Sequence, residues 1–252
     1  MIRKFLRYIR KNKNYQYKEK FSSFEEAKRF SEEVSEYFDN RLLKFQGPKD
    51  VEVTGRFYVV SIITSLLNKK KIDILDVGGG SQPAFSYIKQ STGRSINCTV
   101  LETEKFIKII SKKIPNKFKK NLKYIYSFSD LKKKHIDIAC FNSSIQYFSD
   151  YENMIKKISA LKPIYMLFTR TPYHHQNNNY YSLQCSIKGS THPIIFFSFK
   201  KFKNLLHRYN YELIFENKYD VNTQEHEVIK PKSFSHKDLI FRKIKKENKN
   251  LK

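Results

Sequence analysis

Short apolar runs separated by longer polar or amphipathic segments organise most of this chain. The runs are Ile72–Val77, Ile96–Leu101, Leu122–Tyr126, Ile136–Phe141, Ile164–Phe168, Tyr211–Glu216 and Leu239–Ile244. A strand covered by helices on both faces has no polar side and therefore reads as a continuous apolar run. Five of the runs alternate with segments long enough to return as helices, which predicts βαβ units and a parallel sheet. The last two are joined by residues 217–238, which lack apolar periodicity, so an antiparallel hairpin is expected at one edge. The predicted fold class is α/β, a doubly wound sheet of seven strands, mostly parallel.

A different texture precedes Lys71. Ser23-Phe24-Glu25-Glu26 has the spacing of a capping box, and Phe24, Ala27, Phe30, Val34, Tyr37 and Phe38 follow at helical period, which predicts a helix over 24–38. Gly47-Pro48-Lys49-Asp50 breaks the chain, and Thr54 can cap a second helix burying Val59, Val60, Ile63, Leu66 and Leu67. The expected organisation is a basic tail and helical preface over 1–68, an α/β domain over 69–246 with an insertion at 173–195, and a basic tail over 247–252.

Composition adds two constraints. The chain has 252 residues with 21 Phe and 17 Tyr, enough apolar area for a core and incompatible with disorder throughout. Its net charge is +25, of which residues 1–20 carry +7 and residues 241–252 carry +5. A further block, Lys105 to Lys123, has eight lysines and no acid. Such density suits an anionic partner, either membrane headgroups or nucleic acid, while a general bias toward lysine explains it equally well. The three cysteines, Cys98, Cys140 and Cys185, are far apart with mainly apolar or β-branched neighbours, so they read as reduced core residues rather than a disulfide framework or metal site. No signal peptide or membrane span is visible, and the expected location is the cytoplasm, with basic tails suited to the inner face of a membrane.

The chemistry concentrates after the first run. Asp73-Ile74-Leu75-Asp76-Val77-Gly78-Gly79-Gly80-Ser81-Gln82-Pro83 is a strand entering a glycine turn, with Pro83 suited to open a helix. Glycines let a ligand approach the backbone closely. Glu102 closes the second run, about twenty residues past the turn, where an acid can accept both hydroxyls of a ribose. An adenosine-containing cofactor is therefore expected. A dinucleotide fingerprint needs glycine where Pro83 stands, and Asp76 repels a pyrophosphate but suits a cationic sulfonium and amino group. S-adenosylmethionine is the cofactor expected.

Together with Phe141-Asn142-Ser143-Ser144-Ile145-Gln146-Tyr147 and Thr169-Arg170-Thr171-Pro172, the segment Asp76-Val77-Gly78-Gly79-Gly80 and Glu102 resemble the class I S-adenosylmethionine-dependent methyltransferases found among surface-polysaccharide biosynthesis genes. The similarity covers roughly 21–220 and includes Gln184. It implies a seven-stranded Rossmann-like sheet, cofactor at the glycine turn, and transfer to a small molecule or sugar. Gln82 departs from the pattern, since methyltransferases commonly have another glycine there, and a side chain at that position is expected to narrow the amino-acid end of the site.

Asp76, Gly78, Gly79, Gly80, Glu102, Asn142 and Ser143 are the expected cofactor residues, and Tyr147, Arg170 and Gln184 the expected acceptor residues. Methyl transfer to oxygen needs alignment and a proton acceptor rather than a covalent nucleophile. His174 and His175 are the candidate bases, because a neutral imidazole suits a hydroxyl proton; Arg170 can grip a phosphate or carboxylate. Two other readings stay open: a nucleic-acid methyltransferase, favoured by the charge, and a non-catalytic binding protein that retains the fold.

Overall fold

The computed structural model describes residues 16–34, 58–80, 88, 92–111, 116, 120–131, 135–187, 190–219 and 234–244. Both basic tails, Thr54, the Gly47–Asp50 break, the end of the helix expected to reach Phe38, and Gln82-Pro83 lie outside the described residues. In chain order the elements are β1 (Gln16–Phe21), α1 (Phe24–Val34), α2 (Tyr58–Leu66), β2 (Lys71–Val77), β3 (Ser95–Leu101), α3 (Glu104–Ile110), β4 (Leu122–Ile125), β5 (Ile138–Asn142), α4 (Tyr151–Ala160), β6 (Tyr165–His174), β7 (Tyr180–Ile187), β8 (Ser190–Ser198), α5 (Phe199–Arg208), β9 (Tyr211–Tyr219) and β10 (Phe234–Lys243).

Strands β4, β3, β2, β5 and β6 lie side by side and parallel. β10 pairs antiparallel with β6 and with β9, giving the antiparallel edge. The sheet nevertheless exceeds the expected seven strands. Among the described residues β1, β7 and β8 bring it to ten, with β7 and β8 forming an antiparallel hairpin, β8 running parallel to the end of β6, and β1 antiparallel to β7. The N-terminal segment is therefore not helical throughout, because β1 precedes α1 and belongs to the sheet. At the start of α1 the Glu26 N–H donates to Ser23 Oγ at 3.1 Å, while the Glu26 carboxylate accepts from the N–H and hydroxyl of Ser22. The reciprocal bond expected at Ser23 thus sits one residue earlier.

Two apolar layers enclose the parallel strands. Leu75, Val77, Phe141, Phe168 and Phe241 pack with Phe202, Leu205 and Leu206 of α5 on one side. Ile72, Ile74, Val100, Ile138 and Leu167 pack with Val59, Val60 and Ile63 of α2 on the other. Leu66, expected on that buried face, is 69% exposed, because the helix ends there and Leu67 turns inward instead. Cys98 and Cys140 are free and buried, as core residues should be; the Cys185 side chain lies outside the described residues. At the amino ends of the strands Asp137 accepts the Asp73 N–H at 3.0 Å and pairs with Lys69 and His135. No helix among the described residues is long and apolar enough to cross a membrane.

Candidate active site

Parallel strands carry their carboxyl ends to one edge, and there the chain leaves β2 through Gly78, Gly79 and Gly80. Gly78 and Gly80 hold φ values of +67° and +61°, conformations that L side chains rarely adopt. Space excludes other residues as well. A Cβ on Gly78 would stand 2.7 Å from Ser144 Cβ, and one on Gly79 would stand 2.6 Å from Asp76 Cγ, whereas nothing lies within 4 Å of the position at Gly80. The turn thus rests on Asp76 and Ser144 and is open at Gly80. Ser144 adds a 2.5 Å hydrogen bond to the Val77 carbonyl.

Asp76 is fully buried, in register between Val100 of β3 and Cys140 of β5. Burial pushes the Cys98 and Cys140 thiols well above their usual range, and the negative charge of Asp76 pushes them further. A buried carboxylate at this point is costly unless something cationic or protic meets it.

Glu102 turns toward the glycines. Its Oε1 accepts the Gly80 N–H at 2.9 Å and its Oε2 accepts the Thr103 N–H at 3.1 Å, while the Tyr124 hydroxyl donates to the Gly80 carbonyl at 3.0 Å. Burial raises the Glu102 pKa, with Asp76 adding to the rise and the two backbone donors opposing it. Each carboxylate oxygen has a second lone pair, so Glu102 can still accept a vicinal diol. The turn closed to a Cβ at Gly78 and Gly79, the buried acid and the ribose-spaced carboxylate fit an adenosine cofactor.

After β5, Ser143 adopts φ +55° and the chain is tied to β6: Ser143 N–H donates to the Thr169 carbonyl at 2.9 Å and the Thr169 hydroxyl to Asn142 Oδ1 at 2.8 Å. Asn142 and Ser143, expected on the cofactor, therefore also hold the sheet's upper edge. Gln146 donates to Ser143 Oγ at 3.2 Å, while its own Oε1 is buried without a hydrogen-bond donor among the described residues. A buried acceptor of this kind calls for a donor from a ligand or water.

The histidine pair is placed otherwise than expected. β6 does not stop at Phe168 but continues to His174, since β10 pairs with it along its length and β8 pairs with its end, beyond β5. His174 is 1% exposed. Its Nε2 bonds the Phe196 carbonyl at 3.1 Å and its Nδ1 accepts the Gln176 N–H at 3.1 Å, leaving no lone pair for a hydroxyl proton. It ties β6 to β8. His175 is exposed.

Other residues gather around Tyr147, expected on the acceptor side. The Tyr147 hydroxyl donates to Gln184 Oε1 at 2.5 Å, so two expected acceptor residues meet. Tyr147 also stands edge-on to His192, ring centroids 5.1 Å apart, and His192 is the cross-strand partner of Gln184. Burial pushes His192 down to about 4; burial, helped by the charge of Arg170, pushes His236 down to about 4. Both are neutral near pH 7. Neither drew notice in the sequence, where each stands alone; the apolar run Ile194-Ile195-Phe196-Phe197 that follows His192 was the available sign of a strand there. No group of three or more metal-ligating side chains exists among the described residues.

No family model matches the chain, and no curated protein does. Solved structures do. Magnesium protoporphyrin IX methyltransferase from Synechocystis PCC 6803, with bound S-adenosylmethionine, superposes with TM-score 0.56 over 85% of this chain and 95% of that one at 9% identity. 1,6-Didemethyltoxoflavin-N1-methyltransferase from Burkholderia thailandensis, with S-adenosylhomocysteine bound, gives 0.52 over 85% and 87% at 14% identity. An S-adenosylmethionine-dependent methyltransferase from Methanosarcina mazei gives 0.52 over 73% and 98% at 14% identity. The chain has the class I methyltransferase fold. Within that fold the glycine turn and Glu102 lie at the carboxyl ends of adjacent strands, where α/β sheets bind ligands.

Proposed function

We propose that this chain is an S-adenosylmethionine-dependent methyltransferase acting on a hydroxyl or amino group of a small molecule or sugar, within surface-polysaccharide assembly. The observation that carries the reading is Glu102, held against Gly80 with spare lone pairs and backed by buried Asp76. The glycan assignment rests only on the sequence resemblance around 76–80, 141–147 and 169–172. Residues 69–246 are taken as the catalytic unit, and its location as cytoplasmic.

When bound, S-adenosylmethionine supplies a methyl group on a sulfonium. The chain's residues do the rest. Asp76 offers negative charge to the amino end, Glu102 takes the ribose hydroxyls, and the Gly78–Gly80 backbone admits the ligand closely. Tyr147, Gln184 and His192 orient the acceptor, His192 as a neutral ring on the hairpin, while His174 is committed to tying β6 to β8. Alignment and exclusion of water account for most of the acceleration such a transfer needs.

The test is calorimetry with S-adenosylhomocysteine, followed by transfer of labelled methyl to a panel of sugars and nucleotide sugars. A micromolar constant abolished by Asp76→Ala supports the reading, and no binding overturns it. Binding without transfer to any acceptor favours the non-catalytic alternative. The +25 charge favours nucleic acid as a second acceptor class; a steep salt dependence of RNA binding accompanied by methylation would select it.

A further inference from the structure

Where β10 crosses β6 the ladder is irregular. Lys237 faces Thr171 and Leu239 faces Phe168, so one residue of β10, Asp238, stands opposite two of β6, Thr169 and Arg170. This is a β-bulge, and Arg170 in it holds φ +53°. An arginine in the left-handed region is strained by its Cβ, and glycine would relieve that strain. Bulges of this type re-aim side chains beside active sites, and such strain persists only where its surroundings impose it.

The surroundings here are identifiable. The Arg170 N–H donates to Asp238 Oδ1 at 2.8 Å. The other oxygen of Asp238 accepts the Tyr58 hydroxyl at 2.8 Å, which in turn accepts from Asn217 at 2.9 Å. Asp238 is 2% exposed. This chain of bonds, centred on buried Asp238, grips the backbone of Arg170, not its guanidinium, which is exposed and makes no ion pair among the described residues. Thr169 is paired with Asn142, the last residue of β5, so Arg170 stands one step beyond the carboxyl end of β5, where that chain turns away toward Ser143 and Tyr147 while β6 continues to His174.

An aromatic surface adjoins it. His236 is the β10 partner of Pro172 and meets Phe234, centroids 5.7 Å apart. Phe234 and Tyr147 both pack on the small core of Tyr180, Ile194 and Phe196, and Tyr147 meets His192. All four rings, Tyr147, His192, Phe234 and His236, are half-buried. A fixed cation thus borders a surface of uncharged rings.

Resting on the methyltransferase reading, we infer that the Arg170 bulge is an anion subsite: the acceptor bears a phosphate or carboxylate held by the guanidinium, with its ring against Tyr147, Phe234 and His236. A planar guanidinium binds either group through two parallel hydrogen bonds. Asp238 and Tyr58 are positioning residues, setting where that fork points.

The probes are phenyl phosphate, benzoate and phenol, titrated into the full chain saturated with S-adenosylhomocysteine, in about 0.15 M salt to screen the general positive charge. Phenyl phosphate or benzoate should bind at least tenfold more tightly than phenol, and the tighter of the two names the anionic group. Arg170→Gln should weaken that anion at least tenfold and leave S-adenosylhomocysteine unaffected. Arg170→Lys should recover part of the loss, and Lys200→Gln, an exposed charge on α5, should change nothing. Phenol binding as tightly as both anions, or Arg170→Gln within twofold of wild type, overturns the proposal. Failure of S-adenosylhomocysteine to bind overturns the methyltransferase reading instead, since the anion comparison can still be read without it.

Discussion

Replacing Glu102 by Gln isolates the group on which the cofactor reading depends. The substitution keeps size and shape but exchanges one carboxylate oxygen for an NH2 group. At present the two oxygens accept the Gly80 N–H at 2.9 Å and the Thr103 N–H at 3.1 Å. With glutamine only one of these donors retains an acceptor, and the ribose faces a neutral amide. Hydrogen bonds to a charged group contribute about 1.5–3 kcal/mol against about 0.5–1.5 kcal/mol for neutral ones. Weakening two ribose contacts therefore costs about 1.5–3 kcal/mol, or roughly 10- to 150-fold in affinity. Calorimetry with S-adenosylhomocysteine measures this directly, with circular dichroism as a check on folding. The pH dependence gives a second readout. Burial raises the Glu102 pKa above the ordinary 4.5, so the carboxylate is present only above the raised value. Wild-type affinity should fall as pH drops through that value, and the Gln variant should lack the step. A well-folded variant that binds within threefold of wild type would refute the ribose assignment.

Further tests address other parts of the structure. Gly78→Ala combines φ +67° with a Cβ 2.7 Å from Ser144 Cβ, so thermal unfolding should show a loss of about 2–4 kcal/mol, falling to about 1–2 kcal/mol in a Ser144→Gly background. Gln146→Met removes a buried acceptor without a donor; it should leave the melting temperature within about 2 °C while weakening whichever ligand supplies the donor, measured by titration with S-adenosylhomocysteine and with labelled acceptor. Asp137→Ala strips Lys69 of its partner and the Asp73 N–H of its acceptor and should cost about 2–4 kcal/mol in urea unfolding. His192 and His236 are both depressed from 6.5 to about 4. Between those values the unfolded chain holds protons that the folded one does not, so stability should decline as pH falls from 6.5 toward 4, and His192→Gln with His236→Gln should flatten that decline.

The parallel strands were legible because burial on both faces forces an apolar run, as in Ile72–Val77 and Ile136–Phe141. The hairpin and β1 were not. β1 reads Gln-Tyr-Lys-Glu-Lys-Phe, a polar edge strand whose order depends on β7, far along the chain. β8 contains Pro193, a residue that argues against a strand except where its missing N–H is harmless. His174 misled for a related reason. Two adjacent histidines past an apolar run look like a loop, yet long-range pairing with β10 and β8 extends the strand through the first of them. The bulge at Arg170 has no signature at all, since arginine at positive φ is imposed by Asp238 and, through it, by Tyr58, 180 residues away in sequence.

The two halves of the site differ in how the chain builds them, and this decides what a sequence can reveal. Asp76, the glycines and Glu102 belong to the neighbouring parallel strands β2 and β3 and the turns that leave them, so their spacing alone places them around a common point. The acceptor side gathers Tyr147 from the turn after β5, Arg170 from the bulge of β6, Gln184 and His192 from the hairpin, and His236 from β10. Each arrives by a separate long-range pairing, and no local pattern records that they meet. The methyltransferase fold fixes the first half and leaves the second to inserted elements. On the proposed reading the hairpin, with the bulge that feeds it, selects the acceptor, and exchanging residues there should alter the acceptor while leaving S-adenosylhomocysteine affinity in place.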